Sequence, residues 1–132
     1  KALKDREEKS LIVLGKPELN TGEQLGNLTI KSHLSAKDLN TAILQSELII
    51  CRSGYSTIMD LAKLEKKAFF IPTPGQTEQE YLAKNFMQKG ICFAQKQSKF
   101  DFEKAINKSK NYSGFSKRNS TLTNWEELFR LF

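Results

Sequence analysis

Short apolar runs recur along the chain, and each is apolar throughout instead of alternating with polar positions. Runs such as LIVL, LIIC and AFFI lack the period-two pattern of a half-exposed strand. They are typical of strands that are covered on both faces, as in a parallel sheet. Five runs predict strands: Leu11 to Leu14, Leu28 to Ile30, Leu48 to Cys51, Ala68 to Ile71 and Ile91 to Ala94.

Helical patterns separate most of these strands. Ser35 opens the first with a capping pattern, and the second runs from Ser56 to about Leu64. The third opens at Thr77, whose hydroxyl can cap while Glu80 reaches back, and it stops at a Lys-Gly pair at 89–90. This alternation predicts βαβ units and an α/β fold, a Rossmann-like doubly wound parallel sheet.

Three segments fall outside this alternation. Residues 16–27 are polar and contain Pro17, Gly22 and Gly26, which predicts a loop, and residues 107–124 are rich in Ser, Asn and Lys, which predicts irregular structure. The closing residues 125–132 are amphipathic and aromatic. They can pack on another domain or on this sheet.

Composition and charge indicate the class of protein and the kind of partner. The chain has 132 residues, which predicts one domain, with 39% hydrophobic and 27% charged residues, as in an ordinary globular protein. A net charge of +6 suits an anionic partner. Many of the lysines lie late in the chain on predicted solvated surface, and no aromatic-interleaved basic stripe is present, so we expect no nucleic-acid partner.

The cysteines and the termini suggest where the protein works. Cys51 and Cys92 lie in apolar runs and form no disulfide framework, which favours a reducing cytosol. No apolar stretch has the length of a membrane span, and no signal peptide is visible. The charged first residues resemble the end of a helix, so we expect an excised piece of a longer protein.

The segment 48–61 carries the first candidate site. A buried strand ends, a turn with Gly54 follows, and a helix begins near Ser56, which places backbone N–H groups and the Ser56 and Thr57 hydroxyls at a positive helix end that can bind phosphate. Gly54 permits close approach of a ligand or a positive φ. Asp60 can accept hydrogen bonds from ribose hydroxyls. The structural alternative is that the two hydroxyls cap the helix and Asp60 offsets its dipole.

The segment 70–81 carries the second candidate site. Another buried strand ends, a Pro-Gly loop turns, and the next helix starts with Gln76, Glu78, Gln79 and Glu80. Amide side chains donate and accept hydrogen bonds, which suits the hydroxyls of a sugar. The alternative is a solvated, well-capped first helical turn.

His33 is the only histidine, and it follows a predicted strand. No Cys or carboxylate accompanies it at metal-ligand spacing, so we expect no metal site. No pair of nucleophile and base is evident either. We therefore predict a loop or cap role for His33 and assign no catalytic residue to this chain.

Together the two segments resemble the C-terminal domain of glycosyltransferase family 28. The resemblance covers about residues 32 to 85 and is carried by Cys51-Arg52-Ser53-Gly54, Thr57, Asp60, and Pro72 followed by Gln79 and Tyr81. In that family two Rossmann-like domains face each other across a cleft, the GT-B fold. The C-terminal domain holds a UDP-sugar donor, and the N-terminal domain binds the acceptor and supplies the general base.

The resemblance implies a role for each matching residue. Tyr55, Ser56 and Thr57 would meet the ribose–diphosphate region, and Asp60 would hold the ribose. Gln79 would contact sugar hydroxyls with Glu80 beside it. The backbone of Leu34 would meet the uracil, with His33 flanking the base. The full donor-binding set is Arg52, Ser53, Gly54, Tyr55, Ser56, Thr57, Asp60, Gln76, Gln79, Glu80, Leu34 and His33.

Some family features differ. Family members usually have Glu where this chain has Asp60, so the reach to the ribose is shorter. The Gly-rich loop after the first strand, that strand itself and the acceptor domain are not seen. We expect residues 1–132 to be one nucleotide-sugar-binding domain that needs its N-terminal domain and does not catalyse alone. No cofactor or metal is expected, and the expected location is the cytoplasm, with peripheral association at the inner membrane face left open.

Other functions remain open at this point. A sugar-nucleotide epimerase has the same paired-domain plan, but it would need carboxylates and a histidine at the sugar. A non-catalytic nucleotide-sugar-binding or scaffold module could keep the fold without the chemistry. A signalling receiver domain is set aside, because it needs a phosphorylatable Asp at a strand end, where this chain has Cys51-Arg52 and Pro72.

Overall fold

A computed structural model describes residues 9–13 and 22–116. The chain divides into two compact units, with the boundary between Gln45 and Ser46. The first unit contains β1 (Ser10–Val13), β2 (Gly22–Leu25), β3 (Leu28–Lys31) and α1 (Ala36–Gln45). Its sheet has the order β1-β3-β2, with β1 parallel to β3 and β2 antiparallel to it.

Strand β2 corrects the sequence prediction, which treated residues 16–27 as a loop. Gly26 and Asn27 form a two-residue turn between the paired residues Leu25 and Leu28, and Gly26 has a φ of 61°. A left-handed first turn residue is typical of the type II′ hairpin. The Gly-Asn pair between two leucines is a known hairpin signal, which the polar composition of the segment obscured. Residues 14–21 lie outside the described residues.

The predicted start of α1 is confirmed. The Asp38 amide donates to the Ser35 hydroxyl oxygen at 3.1 Å, which satisfies one of the N–H groups that a helix leaves unpaired at its start.

The second unit is built on a fully parallel sheet. It contains β4 (Ile49–Cys51), β5 (Ala68–Phe70) and β6 (Phe93–Ala94) in the order β4-β5-β6. The helices are α2 (Tyr55–Lys63), α3 (Thr77–Gln88), a short 3-10 helix (Gln97–Lys99) and α4 (Phe102–Ser109). The predicted α/β fold is confirmed, and parallel strand pairing occurs in both units.

Both faces of this sheet are covered, which explains the continuous apolar run in β5. Phe69 and Phe70 are both fully buried, and successive side chains of a strand point to opposite faces. The Phe69 ring packs on Phe93 at 5.6 Å between centroids, and the Phe70 ring packs edge-on against Phe86 of α3 at 6.4 Å.

The end of α3 is confirmed, and it shortens the next strand. Gly90 takes a φ of 72° after the helix, as expected of a C-terminal glycine. The amides of Ile91 and Cys92 then donate to the Phe86 carbonyl at 3.0 and 3.4 Å. Because these two amides satisfy the helix end, β6 begins at Phe93 and not at Ile91 as predicted.

Helix α4 was not predicted, and the irregular segment expected at 107–124 is wrong over its first three residues. The Asp101 carboxylate caps the helix by accepting from the Lys104 amide at 3.1 Å. Apolar residues at Phe102, Ala105 and Ile106 have the helical spacing that would have identified it. The predicted amphipathic tail at 125–132 lies outside the described residues. Within the described ranges, no helix is both long and apolar enough to cross a bilayer.

Gly114 provides a test of this packing. Its φ is 73°, and a Cβ at this position would lie 2.5 Å from Lys67 Cγ and 3.1 Å from Lys67 Cα. We expect Gly114→Ala to lower the free energy of unfolding by about 1–3 kcal/mol, because the backbone strain adds to a contact with another backbone. Urea denaturation measures this. Gly54→Ala is the control, since a Cβ there would meet no described atom within 4 Å.

Candidate functional site

The start of α2 is open and uncapped. Gly54 is the N-cap residue, with φ −80° and ψ 154°, and no side chain in the described part of the chain caps the helix. Ser56 and Thr57 lie inside the first turn, so the structural alternative in which their hydroxyls cap the helix is wrong. No acidic residue lies in the first turn either, so Asp60 does not offset the dipole there.

Two backbone N–H groups at this helix start have no acceptor among the described residues. The first intrahelical bond runs from the Ile58 amide to the Gly54 carbonyl at 3.0 Å. Within the described residues the amides of Ser56 and Thr57 have no acceptor. Such N–H groups carry the positive partial charge of the helix end, and they can bind an anion.

One face of α2 carries the polar groups. Ile58, Leu61 and Ala62 are buried in the core. Ser56 and Asp60 are exposed and lie four residues apart, which places them on one face of the helix. The hydroxyl at the helix start and the carboxylate one turn later therefore face the same side.

Gly54 is not required by its backbone conformation. A φ of −80° is ordinary for any residue, and a Cβ at this position would meet no described atom within 4 Å. Of the two reasons for glycine expected from the sequence, the positive φ is therefore wrong. Close approach of a ligand to the backbone remains.

Arg52 follows β4 and connects the ends of the neighbouring strands. Its Nη1 donates to the Ile71 carbonyl at 3.0 Å and to the Pro72 carbonyl at 3.4 Å. Its Nη2 donates to Gln97 Oε1 at 2.7 Å. Gln97 was not among the candidate site residues predicted from the sequence. It lies 45 positions after Arg52, so no local pattern could have identified this contact.

Ser53 lies in the turn before α2 and is fully buried, unlike the predicted donor-binding residues on the helix itself. Its hydroxyl donates to the Gln79 carbonyl at 2.7 Å, which ties the β4–α2 turn to the first turn of α3. This bond gives the Ser53 side chain an internal role.

The first turn of α3 holds the loop that precedes it. Gln79 Oε1 accepts from the Thr73 amide at 2.8 Å, and Glu80 Oε1 accepts from the Gly75 amide at 3.3 Å. Glu80 therefore reaches back, but to Gly75 and not to Thr77 as the predicted capping pattern requires. The predicted Thr77 cap is wrong, because the N-cap is Gln76 and no side chain caps this helix.

Thr73 is a site residue that the sequence analysis missed. It lies between Pro72 and Pro74, neither of which has a backbone N–H, so its amide is the only backbone donor in residues 72–74. An isolated amide between two prolines needs a hydrogen-bond acceptor, and the Pro-Thr-Pro sequence is the signal that could have identified Thr73. Gln79 Oε1 meets the need, and the two Nε2 hydrogens of the same side chain have no acceptor among described residues.

A shallow depression of about 370 Å³ opens at the same edge of the sheet. It is lined by Ile50, Cys51, Arg52, Ile71, Gln97 and Phe100. Of the predicted donor-binding residues it includes only Arg52. The open start of α2 is therefore a surface site and not part of this depression.

His33 and Leu34 lie in the first unit, after β3. His33 is exposed and Leu34 is half-buried. The roles implied for them at a uracil base stay predictions. Within residues 9–13 and 22–116, no three His, Cys, Asp or Glu side chains are grouped as a metal ion would need.

Both cysteines are free thiols in hydrophobic surroundings. Burial raises the pKa of Cys51 to about 12, and burial also raises the pKa of Cys92 to about 12. A thiol with so high a pKa is a poor nucleophile at neutral pH, because the thiolate is the reactive form.

We expect iodoacetamide to alkylate both thiols slowly at pH 7.5. A pKa about three units above 9 lowers the thiolate fraction about a thousandfold, and burial of Cys92 adds a steric barrier. Mass spectrometry after timed quenching measures the rates. Cys51 lines the open depression, so it should react before Cys92. In urea both should react at the rate of free cysteine, and rapid labelling of the native chain would contradict the assignment.

The model of the glycosyltransferase family 28 C-terminal domain matches residues 1–125. No solved structure matches the chain significantly.

Two curated relatives have the same name, UDP-N-acetylglucosamine--N-acetylmuramyl-(pentapeptide) pyrophosphoryl-undecaprenol N-acetylglucosamine transferase. The protein of Trichlorobacter lovleyi is 40% identical over 57 residues, which is 42% of this chain and 15% of the relative. The protein of Histophilus somni is 33% identical over 75 residues, 56% of this chain and 21% of the relative. The matching region is thus a small part of each relative.

Proposed function

Since this chain belongs to glycosyltransferase family 28, in which it corresponds to the C-terminal domain, we propose that it binds a UDP-sugar donor. The diphosphate lies at the open start of α2, the ribose at Asp60, and the sugar at the first turn of α3. The full-length protein transfers the sugar to an acceptor that another domain binds.

The amides of Ser56 and Thr57 support the diphosphate position. They point from a helix N-terminus and have no acceptor among described residues. Arg52, which immediately precedes the turn, donates only to carbonyl and amide oxygens of described residues, so no described carboxylate neutralises its charge. Positive partial and full charge at one sheet edge suits a diphosphate.

Gly54 is the observation that carries the proposal. Neither backbone strain nor crowding by a described neighbour requires glycine at this position. A ligand that approaches the backbone closely would require it, since a methyl group would occupy the space of the phosphate. The presence of glycine at position 54 is therefore explained by a bound ligand and not by the fold.

The remaining groups match the other parts of a nucleotide sugar. Asp60 is exposed on the face of α2 that carries Ser56, where a ribose attached to the diphosphate would lie. Because Gln79 Oε1 is engaged with the Thr73 amide, the Nε2 group of Gln79 is available to donate to sugar oxygens.

The chemistry follows from these positions. The acceptor hydroxyl loses its proton to a base of the acceptor-binding domain, its oxygen bonds to the anomeric carbon, and the bond from that carbon to UDP breaks with inversion. Negative charge develops on the departing diphosphate, and the amides of α2 stabilise it. The positive end of the α2 helix dipole supplies this stabilisation without a metal ion.

The relatives suggest the wider role. Their name specifies UDP-N-acetylglucosamine as donor and an undecaprenol-linked acceptor. We propose a hexose or an N-acetylhexosamine such as N-acetylglucosamine as the transferred sugar and a cell-envelope glycan as the product. Such an enzyme works in the cytoplasm at the inner face of the membrane.

Gly54→Ala tests the diphosphate site. The substitution should raise the free energy of unfolding by about 0.4–1 kcal/mol, since alanine adopts this φ freely. It should weaken UDP binding to the full-length protein about tenfold or more, or about 1.4 kcal/mol, because the methyl group meets the phosphate. Calorimetric titration and urea denaturation measure the two effects.

Gly22→Ala is the matched control, because Gly22 also has an ordinary φ and a Cβ there would lie 3.6 Å from the nearest described atom. It should leave UDP affinity unchanged. Equal UDP affinity of the wild type and Gly54→Ala would refute the diphosphate position.

Asp60→Asn tests the ribose contact. The substitution has two opposing effects on UDP affinity. Removing the negative charge of Asp60 favours binding of the anion, whereas losing the charged acceptor for the ribose hydroxyls disfavours it, and we expect the second effect to be larger. We expect about fivefold to tenfold weaker UDP binding, since a hydrogen bond to a charged group contributes about 1.5 kcal/mol. The preference for UDP over 2′-deoxy-UDP should also disappear.

Glu47→Gln controls for the charge change, since Glu47 is exposed in the same unit and is not part of the site. Its UDP affinity should equal or slightly exceed that of the wild type. A ribose role for Asp60 is excluded if the variant keeps the preference for UDP over the deoxy nucleotide.

A further inference from the structure

One guanidinium joins the residues that follow all three strands of the parallel sheet. Arg52 follows β4, Ile71 and Pro72 follow β5, and Gln97 begins the short helix after β6. We call the contacts of Arg52 with these three residues the Arg52 clamp. Its bonds measure 3.0, 3.4 and 2.7 Å to Ile71 O, Pro72 O and Gln97 Oε1.

The clamp begins where the strand ladder ends. The last ladder-like bonds run from the Ile71 amide to the Cys51 carbonyl at 2.9 Å and from the Gln95 amide to the Phe70 carbonyl at 3.1 Å. Beyond them the carbonyls of Ile71 and Pro72 have no strand partner. Arg52 supplies the donors that these carbonyls need, and it does so from the neighbouring strand.

The loop held in this way is the one that leads into α3. Its start is bound by Arg52, and its later part is bound by α3 through the Thr73 amide on Gln79 and the Gly75 amide on Glu80. Thr73 is one residue from Pro72, so a shift at the start of the loop moves the group that orients the Gln79 amide. Arg52 therefore acts on Gln79 through two peptide units.

We propose that Arg52 is a positioning residue for the sugar half of the donor. It holds the loop 71–76 so that the Nε2 group of Gln79 faces the sugar, and it does so without contacting the ligand. The inference rests on the proposed function. It separates the two ends of the donor, because the amides of Ser56 and Thr57 at the start of α2 make no hydrogen bond to this loop.

The guanidinium is suited to this task and an ammonium is not. Two nitrogens of one planar group donate in fixed directions to three acceptors on two chain segments. Lysine keeps the charge but cannot span these acceptors. Arg52→Lys therefore separates the clamp geometry from simple attraction of the diphosphate.

The test compares the affinities of UDP and UDP-N-acetylglucosamine in the full-length protein. The gain in affinity that the sugar contributes should fall about tenfold in Arg52→Met and in Arg52→Lys. Bare UDP affinity in Arg52→Lys should equal that of the wild type. Lys84→Met, an exposed charge on α3, controls for the lost charge, so Arg52→Met and Lys84→Met should bind UDP equally.

A second readout needs no ligand. Amide hydrogen exchange at Thr73 should quicken in both Arg52 variants, while exchange at Ile58 in α2 should stay as in the wild type. Gln97→Ala removes one arm of the clamp and should produce the same changes in smaller size, which covers the case in which an Arg52 variant does not fold.

The outcomes are distinguishable. The inference is overturned if the affinities for UDP and for UDP-N-acetylglucosamine fall by the same factor in Arg52→Met. The sugar would then contribute as much affinity as in the wild type, and Arg52 would contact the diphosphate. Unchanged exchange at Thr73 overturns it as well. If the wild type binds neither nucleotide, the proposed function fails and the positioning role fails with it, while faster exchange at Thr73 would still establish the clamp as structural.

Discussion

Backbone groups at the carboxyl edge of the sheet β4-β5-β6 must find partners where the strands stop, and the second unit is organised by how they do so. Leaving a buried carbonyl or amide unpaired costs about 1–3 kcal/mol. Arg52 satisfies the carbonyls beyond β5, Gln79 satisfies the Thr73 amide, and Ser53 donates to the Gln79 carbonyl. Some side chains that the sequence predicts to contact the ligand are thus engaged in hydrogen bonds with backbone groups of the protein.

The groups left unsatisfied are as informative as those that are satisfied. At the start of α2 the amides of Ser56 and Thr57 have no described acceptor, and no side chain caps the helix. The loop before α3 is instead held by side chains of Arg52, Gln79 and Glu80. An open helix end is the arrangement that an external anion can complete, and a nucleotide sugar is the ligand proposed for it.

Much of the fold could be predicted from local patterns. Continuous apolar runs located five strands, because strands buried on both faces lack alternation, and Phe69 and Phe70 show the reason by packing on opposite faces. Errors arose where a signal was short or polar. The Gly26-Asn27 turn is two residues long, and α4 presents few apolar positions among lysines. In the candidate site, the motif located the residues but could not show that Arg52 and Ser53 bond within the protein.

The amino-acid sequence by itself determined the class of fold, the strands, the glycine turn before α2 and the residues worth considering at each strand end, since these follow from hydrophobic spacing and local backbone preference. Tertiary structure decided which of those residues face outward. Gln97 lies 45 positions from Arg52 and Gln79 lies 26 from Ser53. Hydrogen bonds across such separations exist only once parallel strands bring their ends to one edge, so no local pattern can encode them.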